Sequence, residues 1–367
     1  MARNLMMILS FVVLVSCSNS SSNQNDFEFT NSTNSDASIS LIKKDEITLS
    51  TPDSVFLAAP DYTFVVDHKE ERMAVFDAMT SQFLIFNLDG EFIRTIGRDG
   101  KGPEEFMMVF SYTFDEEGNL IVYDDGLKRL KIFDSEYNLI KTSEIKNDQY
   151  YLASHKIFAD DNRIITGILE TEYSGPANRD QITNSNIAGV FSYNFDKAEL
   201  LGKYDPYLND IVPSTNRPVI HFDGQLLYTS HSNSYRIQVF DISNGNRINY
   251  FGFRSENFGH LEEETDHREP LEVRFKKGFE ESSTRMVHTD DNYLYFYFIN
   301  GTEEWMEVKD LSALNYHLMI YNKKTLDFLG EIKLPYRLSH ATRNAFYLLE
   351  NEDPDQFRYG VYEIVIE

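Results

Sequence analysis

Apolar residues in this chain gather into short runs separated by polar turns, and the runs alternate between two styles of hairpin. In the first style an aromatic residue stands directly before the Asp or Asn that opens the turn. Residues 83–97 show it best, with Phe86-Asn87 leading into Asp89-Gly90 and a returning run through Phe92 and Ile96. Residues 131–141 repeat it around Phe133-Asp134, and weaker copies occur at 190–196, 237–242 and 318–323. The cause is local: an Asx side chain bonds its own backbone and tolerates turn geometry, while the flanking aromatics pack on a pleated face. The second style places a polar cluster such as Asp115-Glu116-Glu117-Gly118-Asn119 between two apolar runs. Its counterparts lie at 156–165, 219–228 and 287–295, with an earlier pair at 55–66 and a late one at 341–349. Taken alternately, the two styles predict six units of four strands, spanning 55–97, 111–145, 155–203, 218–252, 285–334 and 340–367.

Spacing supports a radial repeat. Phe86 and Phe133 lie 47 residues apart, and so do Tyr193 and Phe240. A four-stranded propeller blade takes roughly 40–50 residues. The longer gaps, from Phe133 to Tyr193 and from Phe240 to Tyr321, require insertions, and polar, charged stretches at 170–187 and 254–285 supply them. Helical patterning is scarce, with 262–281 expected as a short helix or ordered excursion. The expected fold is all-β, a six-bladed β-propeller of four-stranded blades. The last unit supplies only three strands, so residues 38–42 or 46–49 are expected to add the fourth from the other end of the chain. A ring closed by N- and C-terminal strands hides both terminal edges. A two-sheet sandwich is the competing architecture, but it leaves the 47-residue period without a cause.

The first residues have a different character. Residues 1–16 carry Arg3, an apolar stretch over 5–15 and small residues before a cysteine. That is a signal peptide, too short for a lasting membrane span. Leu14-Val15-Ser16-Cys17 matches the lipobox of bacterial lipoproteins, where the cysteine thiol is acylated and becomes the mature N-terminus. An ordinary signal peptide ending near a cysteine is the bland alternative. Cys17 is the only cysteine, so it has no internal disulfide partner. Residues 17–40, rich in Ser, Asn and Thr, are expected to be a lipidated flexible tether, with the propeller domain at 41–367. A net charge of -25, from 59 acidic and 34 basic side chains, argues against nucleic-acid partners and against binding anionic lipid by charge. The 14% aromatic content favours strands over helices.

Residues 92–106, ending Ile96-Gly97-Arg98-Asp99-Gly100-Lys101-Gly102-Pro103-Glu104-Glu105-Phe106, resemble the signature of the six-bladed β-propeller lipoproteins of Bacteroidetes. That family is similar to NHL-repeat propellers: a strand ending in Ile-Gly is followed by Gly-x-Gly-Pro-x-Glu-Phe, and the next blade begins. Glu104 stands where Gly is commoner in the family, and the motif occurs once in full. The hairpins extend the likeness over 55–367. The resemblance implies the fold and is nearly silent about chemistry. Physically, the glycines let the chain turn from an outer strand to the next inner one, and Phe106 can anchor that crossover between blades. A phosphate cradle would need a following helix, which is missing, and Pro103 removes a donor.

Catalytic motifs are thin. There is no His-Glu-x-x-His helix, no Gly-x-Ser-x-Gly elbow and no cysteine nucleophile in the body. Of nine histidines, His221 and His288 hold matching hairpin positions, as do His155 and His340. If these line the channel, their imidazoles could converge on a metal, although repeat position alone gives the same recurrence. Asp124-Asp125 follows a strand and precedes Gly126, so Asp124, Asp125 and Asn233 are the candidates for one cation at the channel mouth. Calcium-dependent lactonases among six-bladed propellers hold their ion in this way. The remaining acidic pairs fit water-facing turns. Trp305, the only tryptophan, follows Glu304 in a polar loop, where it could stack on a sugar, anchor a protein or cover a blade edge. The long insertion at 254–285 favours its own face for recognition.

The expectation is therefore a lipid-anchored cell-envelope propeller, on the outer membrane facing the periplasm, that binds a protein or glycan partner without catalysis. An accessory role in nutrient uptake would add a glycan-sized pocket near Trp305. The alternative is a metal-dependent hydrolase or lyase, lactonase-like, using a single Ca or Zn at the channel mouth. No other cofactor is expected.

Overall fold

The alternating apolar runs pair as hairpins and assemble into six antiparallel sheets arranged as a ring. The structure, a computed structural model, describes residues 28–34, 37–58, 60–146, 149–160, 163–170, 184–195, 198–205, 217–259, 269–270, 273, 281–308, 310–353 and 357–367. The first blade runs Pro60–Asp67, Arg72–Asp77, Gln82–Asn87 and Phe92–Ile96, and the second Val109–Phe114, Leu120–Asp124, Arg129–Phe133 and Leu139–Glu144. The third takes Tyr150–Asp160, Arg163–Glu170, Ala188–Ser192 and Ala198–Leu201, and the fourth Pro218–Phe222, Leu226–His231, Arg236–Asp241 and Asn246–Gly252. Ser283–Thr289, Tyr293–Asn300, Asn315–Asn322 and Phe328–Leu334 make the fifth. These blades coincide with the expected units apart from small shifts at their starts.

The sixth blade closes the ring. Arg337–Ala341, Phe346–Asn351 and Arg358–Ile366 come from the end of the chain, and Ile39–Thr48 pairs antiparallel with the last of them as the outer strand. Both segments expected to compete for this position belong to that one strand, joined across a bulge between Lys43 and Asp45. Six apolar clusters hold the ring, one at each interface between neighbouring blades. Burial of those faces is the main stabilising term, because a single blade cannot cover both sides of its own sheet.

Polar turns behave as the residue pattern implies. Asn87, Asp115 and Asp134 each accept bonds from backbone N–H groups two and four residues on, at 2.8–3.1 Å. The glycine-rich crossover is also structural. Phe106 is fully buried against Phe83 and Phe133, and Gly97 (φ 83°) passes so close to its ring that a Cβ would collide with it. The Glu105 carboxylate closes the loop by accepting from Gly102 N at 2.7 Å and Arg98 Nε at 2.9 Å.

Over its described part, the segment expected as a free tether is docked. Thr30–Asn31 pairs in parallel with the outer strand of the fourth blade, and Phe328 of the fifth donates its N–H to Thr33 O at 2.9 Å. Phe29 lies under the Arg236 guanidinium at 4.3 Å and edge-on to Tyr250 at 5.1 Å. The segment then enters the closing strand, so it straps blades four, five and six. Low hydrophobicity did not prevent docking, because open outer strands offer backbone partners that a polar chain can take.

Candidate functional site

The direction of the strands sorts all connections onto two faces. Turns from first to second and from third to fourth strand share one face, and they are short. Loops from second to third strand and crossovers between blades share the other. The strand ends that flank the long connections, 171–187, 202–217, 253–282 and 301–314, all lie on this loop face.

Exposed large apolar side chains divide unevenly. Ile42, Ile93, Ile140 and Leu200 dot the outer strands, whereas Phe56, Met79, Met107, Met108, Met306 and Tyr336 stand on the loop face. Phe56 and Met79 are 74% and 73% exposed. Among the described residues none stands in a tight turn of the opposite face.

Asp124 and Asp125 are bound up in stitching that face together. Asp124 is fully buried and accepts from Met107 N at 3.0 Å, Met108 N at 3.2 Å and Leu127 N at 3.1 Å. It thereby ties the incoming crossover to the loop between its own second and third strands. Asp77 does the same in the first blade, accepting from Ala58, Met79 and Thr80 amides. The two aspartates lie one 47-residue period apart, a signal in the sequence that marks them as structural. Asp125 accepts from the Tyr123 hydroxyl at 2.6 Å and pairs with Lys128. Asn233, two blades away, donates to the buried Glu281 at 2.7 Å. Among the described residues, no three His, Cys, Asp or Glu side chains stand poised to hold a metal.

The histidines do come together. His221 and His288, 7% and 8% exposed, have ring centroids 5.0 Å apart. His221 Nε2 lies 3.0 Å from Thr289 Oγ1, and His288 Nε2 lies 2.9 Å from Thr342 O. His340 packs beside Phe64 at 4.9 Å. Burial lowers the pKa of all three, and the Lys156 ammonium adds to the effect; His288 falls to about 4. They form a neutral, hydrogen-bonded floor to the channel.

Above that floor, a cavity of about 340 Å³ opens between the inner strands of blades three, four and five. Its wall carries His155, Lys156, Arg217 and Arg285, with hydroxyls from Ser232 and Thr284. Backbone irregularity puts two of these groups there. The third blade's inner strand slips register between Leu152 and Ile157, around Ser154-His155-Lys156, and the fifth blade's bulge falls at Arg285, between Thr284 and Met286. Bulges break the in–out alternation and re-aim side chains. Protein walls in the Lys156 ammonium, and that desolvation lowers its pKa to about 8. The Arg285 guanidinium is also pushed down, first by desolvation and then by the neighbouring Arg337 and Arg217. His155 stacks on Phe110 at 4.8 Å and lies against the Arg217 guanidinium; partial desolvation of its ring, then Arg217 and Arg285, lower its pKa to about 4. Among the described residues neither Lys156 nor Arg285 has a carboxylate partner. The sequence carried a trace of this: Arg217, Arg285 and Arg337 each directly precede or open an inner-strand run of consecutive blades.

Trp305 lies on a six-residue helix, Glu303–Val308, in the fifth blade's loop, with Thr302 Oγ1 accepting from Trp305 N at 3.1 Å. Glu304 lines an open groove of about 490 Å³ beside Lys333 and Pro335; Trp305 is half-buried and is not on the groove wall. Cys17 and most of the expected helix at 262–281 lie outside the described residues.

A family model for a 6-bladed β-propeller matches residues 17–327. The chain belongs to that family, DUF5128. A DUF4221 family member from Bacteroides vulgatus superposes on this DUF5128 chain with a TM-score of 0.71 at 12% identity, covering 90% of this chain and 99% of its own. A Bacteroides fragilis protein described as exported gives 0.55 at 10% identity, covering 90% and 95%. A gluconolactonase of Xanthomonas campestris aligns at only 0.49 and 12% identity, over 87% and 98%, too distant to bear on activity. No curated protein sequence matches the chain.

Proposed function

We propose that this chain is a lipid-anchored protein of the cell envelope, on the outer membrane facing the periplasm, whose loop face binds a protein or glycan partner without catalysis. The observation that carries this reading is that Phe56, Met79, Met107, Met108, Met306 and Tyr336 stand on one face, while no exposed large apolar side chain among the described residues stands in a tight turn of the other. Exposed apolar side chains gathered on one polar-rimmed surface are what a partner covers, and unbranched methionines adapt to its shape. The anchor rests on the Leu14-Val15-Ser16-Cys17 ending. A metal-dependent hydrolase would need carboxylates and imidazoles from several blades at one point, whereas the channel mouth gathers cations.

The test is photo-crosslinking in intact cells, with a photoreactive residue at Met79 or Met306 on the loop face and at Glu136 in a tight turn of the other face. Discrete adducts from the first two positions and none from the third are expected. Adducts from Glu136 alone, or equal yields from both faces, would overturn the reading.

A further inference from the structure

We propose that the cavity at the channel mouth is a binding site for a compact organic anion: a carboxylate or phosphate carried on a hydroxylated body of about monosaccharide size. The site goes beyond the docking surface and stands or falls independently of it. In a chain with a net charge of -25, Lys156, Arg217 and Arg285 converge from three neighbouring blades on one cavity of about 340 Å³. Like charges brought together with no carboxylate partner among the described residues repel one another, and Lys156 also loses hydration, so an unliganded site of this kind opposes folding. A bound anion removes both costs, and forked guanidiniums suit the paired oxygens of a carboxylate or phosphate.

The rest of the wall narrows the class. Ser232, Thr284 and Asn233, each also engaged with a protein neighbour, share the wall with Pro218, Val219 and Ile220, a mixed lining that suits the alternating hydroxyl and C–H surface of a sugar ring. The volume lies at the small end of ligand cavities, about 300–1,000 Å³, which fits one sugar ring and its substituent. Glu281 sits behind Asn233 and accepts from its amide, and among the described residues it makes no ion pair with Lys156, Arg217 or Arg285. The floor imidazoles of His221, His288 and His340 are neutral and bring no competing charge.

The experiment is calorimetric titration of the full chain with three matched probes: galacturonate, galactose 6-phosphate and galactose. At least one of the two acids is expected to bind at one site per chain, with galactose at least tenfold weaker and affinity falling as salt is raised. The acid that is preferred distinguishes a carboxylate ligand from a phosphorylated one. Arg285→Gln and Arg217→Gln are each expected to weaken the acid tenfold or more. Neither should lower the melting temperature, because each removes an uncompensated cation. Equal binding of galactose, no binding by either acid, or wild-type affinity in both variants would overturn the proposal. So would a melting temperature well below wild type in both variants, since that assigns the guanidiniums a structural role.

Discussion

The two faces of the ring use the same residue types for opposite ends. On the turn face, Asp115 and Asp134 are half-buried and each organises its own turn, with the Tyr193 hydroxyl of the next blade adding a 3.3 Å bond to Asp115. On the loop face, Asp124 is buried and binds amides 16 and 17 residues back along the chain. On the first face each turn is organised by its own Asx residue and bridged to the next blade by long side chains, Arg72 donating to Ser135 O at 2.8 Å; the other face is tied by the buried Asp77 and Asp124 and left with exposed methionines and a cationic mouth. Local turns cost little to alter, so the turn face is where change is tolerated. Recognition needs a fixed frame with uncommitted groups on it, and the loop face has both.

That contrast can be broken by substitution. Asp124→Ala removes a buried carboxylate that three amides share and is expected to cost about 4 kcal/mol in chemical denaturation, against less than about 1 kcal/mol for Asp134→Ala. Comparable losses at the two positions would erase the distinction. Acid probes the channel floor. His288 ordinarily titrates near 6.5 and is held at about 4 in the fold, so between those values the unfolded chain binds more protons. Stability is then full above pH 6.5 and drains as the pH falls to 4, by about 3 kcal/mol from this residue. Urea midpoints followed over that range should fall less steeply in His288→Gln; parallel curves would mean that the imidazole already shares its burial with water. The smallest effect concerns the strap. Phe29→Ala removes one cation–π contact and edge-on aromatic packing, and is expected to cost roughly 1–2 kcal/mol. A thermal melt unchanged by that substitution would show that the strap adds nothing to the ring.

Much of the architecture was legible in the residue order. The Asx-opened hairpins, the 47-residue period and the wedge at Phe106 are local or repetitive features, and each reports its own cause. The candidate cation residues are spread out: Asp124 and Asp125 lie in blade two and Asn233 in blade four, with Asp124 bonded to the incoming crossover, Asp125 to Tyr123 and Asn233 to Glu281. The docked stretch at 28–34 was also hidden, because polar composition measures what a segment can bury alone and not which open strand edge lies beside it.

By itself the sequence determined the strands, the turns, the blade count and which end of the chain had to close the ring, because apolar alternation and Asx chemistry act within a few residues. Tertiary structure alone decided where the cations go. Lys156, Arg217 and Arg285 are far apart in the chain, and the bulges that turn Lys156 and Arg285 into the channel break the very alternation from which a strand's inward side is read. A bulge is settled by how a strand fits its neighbours, so the composition of the channel mouth is a property of the assembled ring.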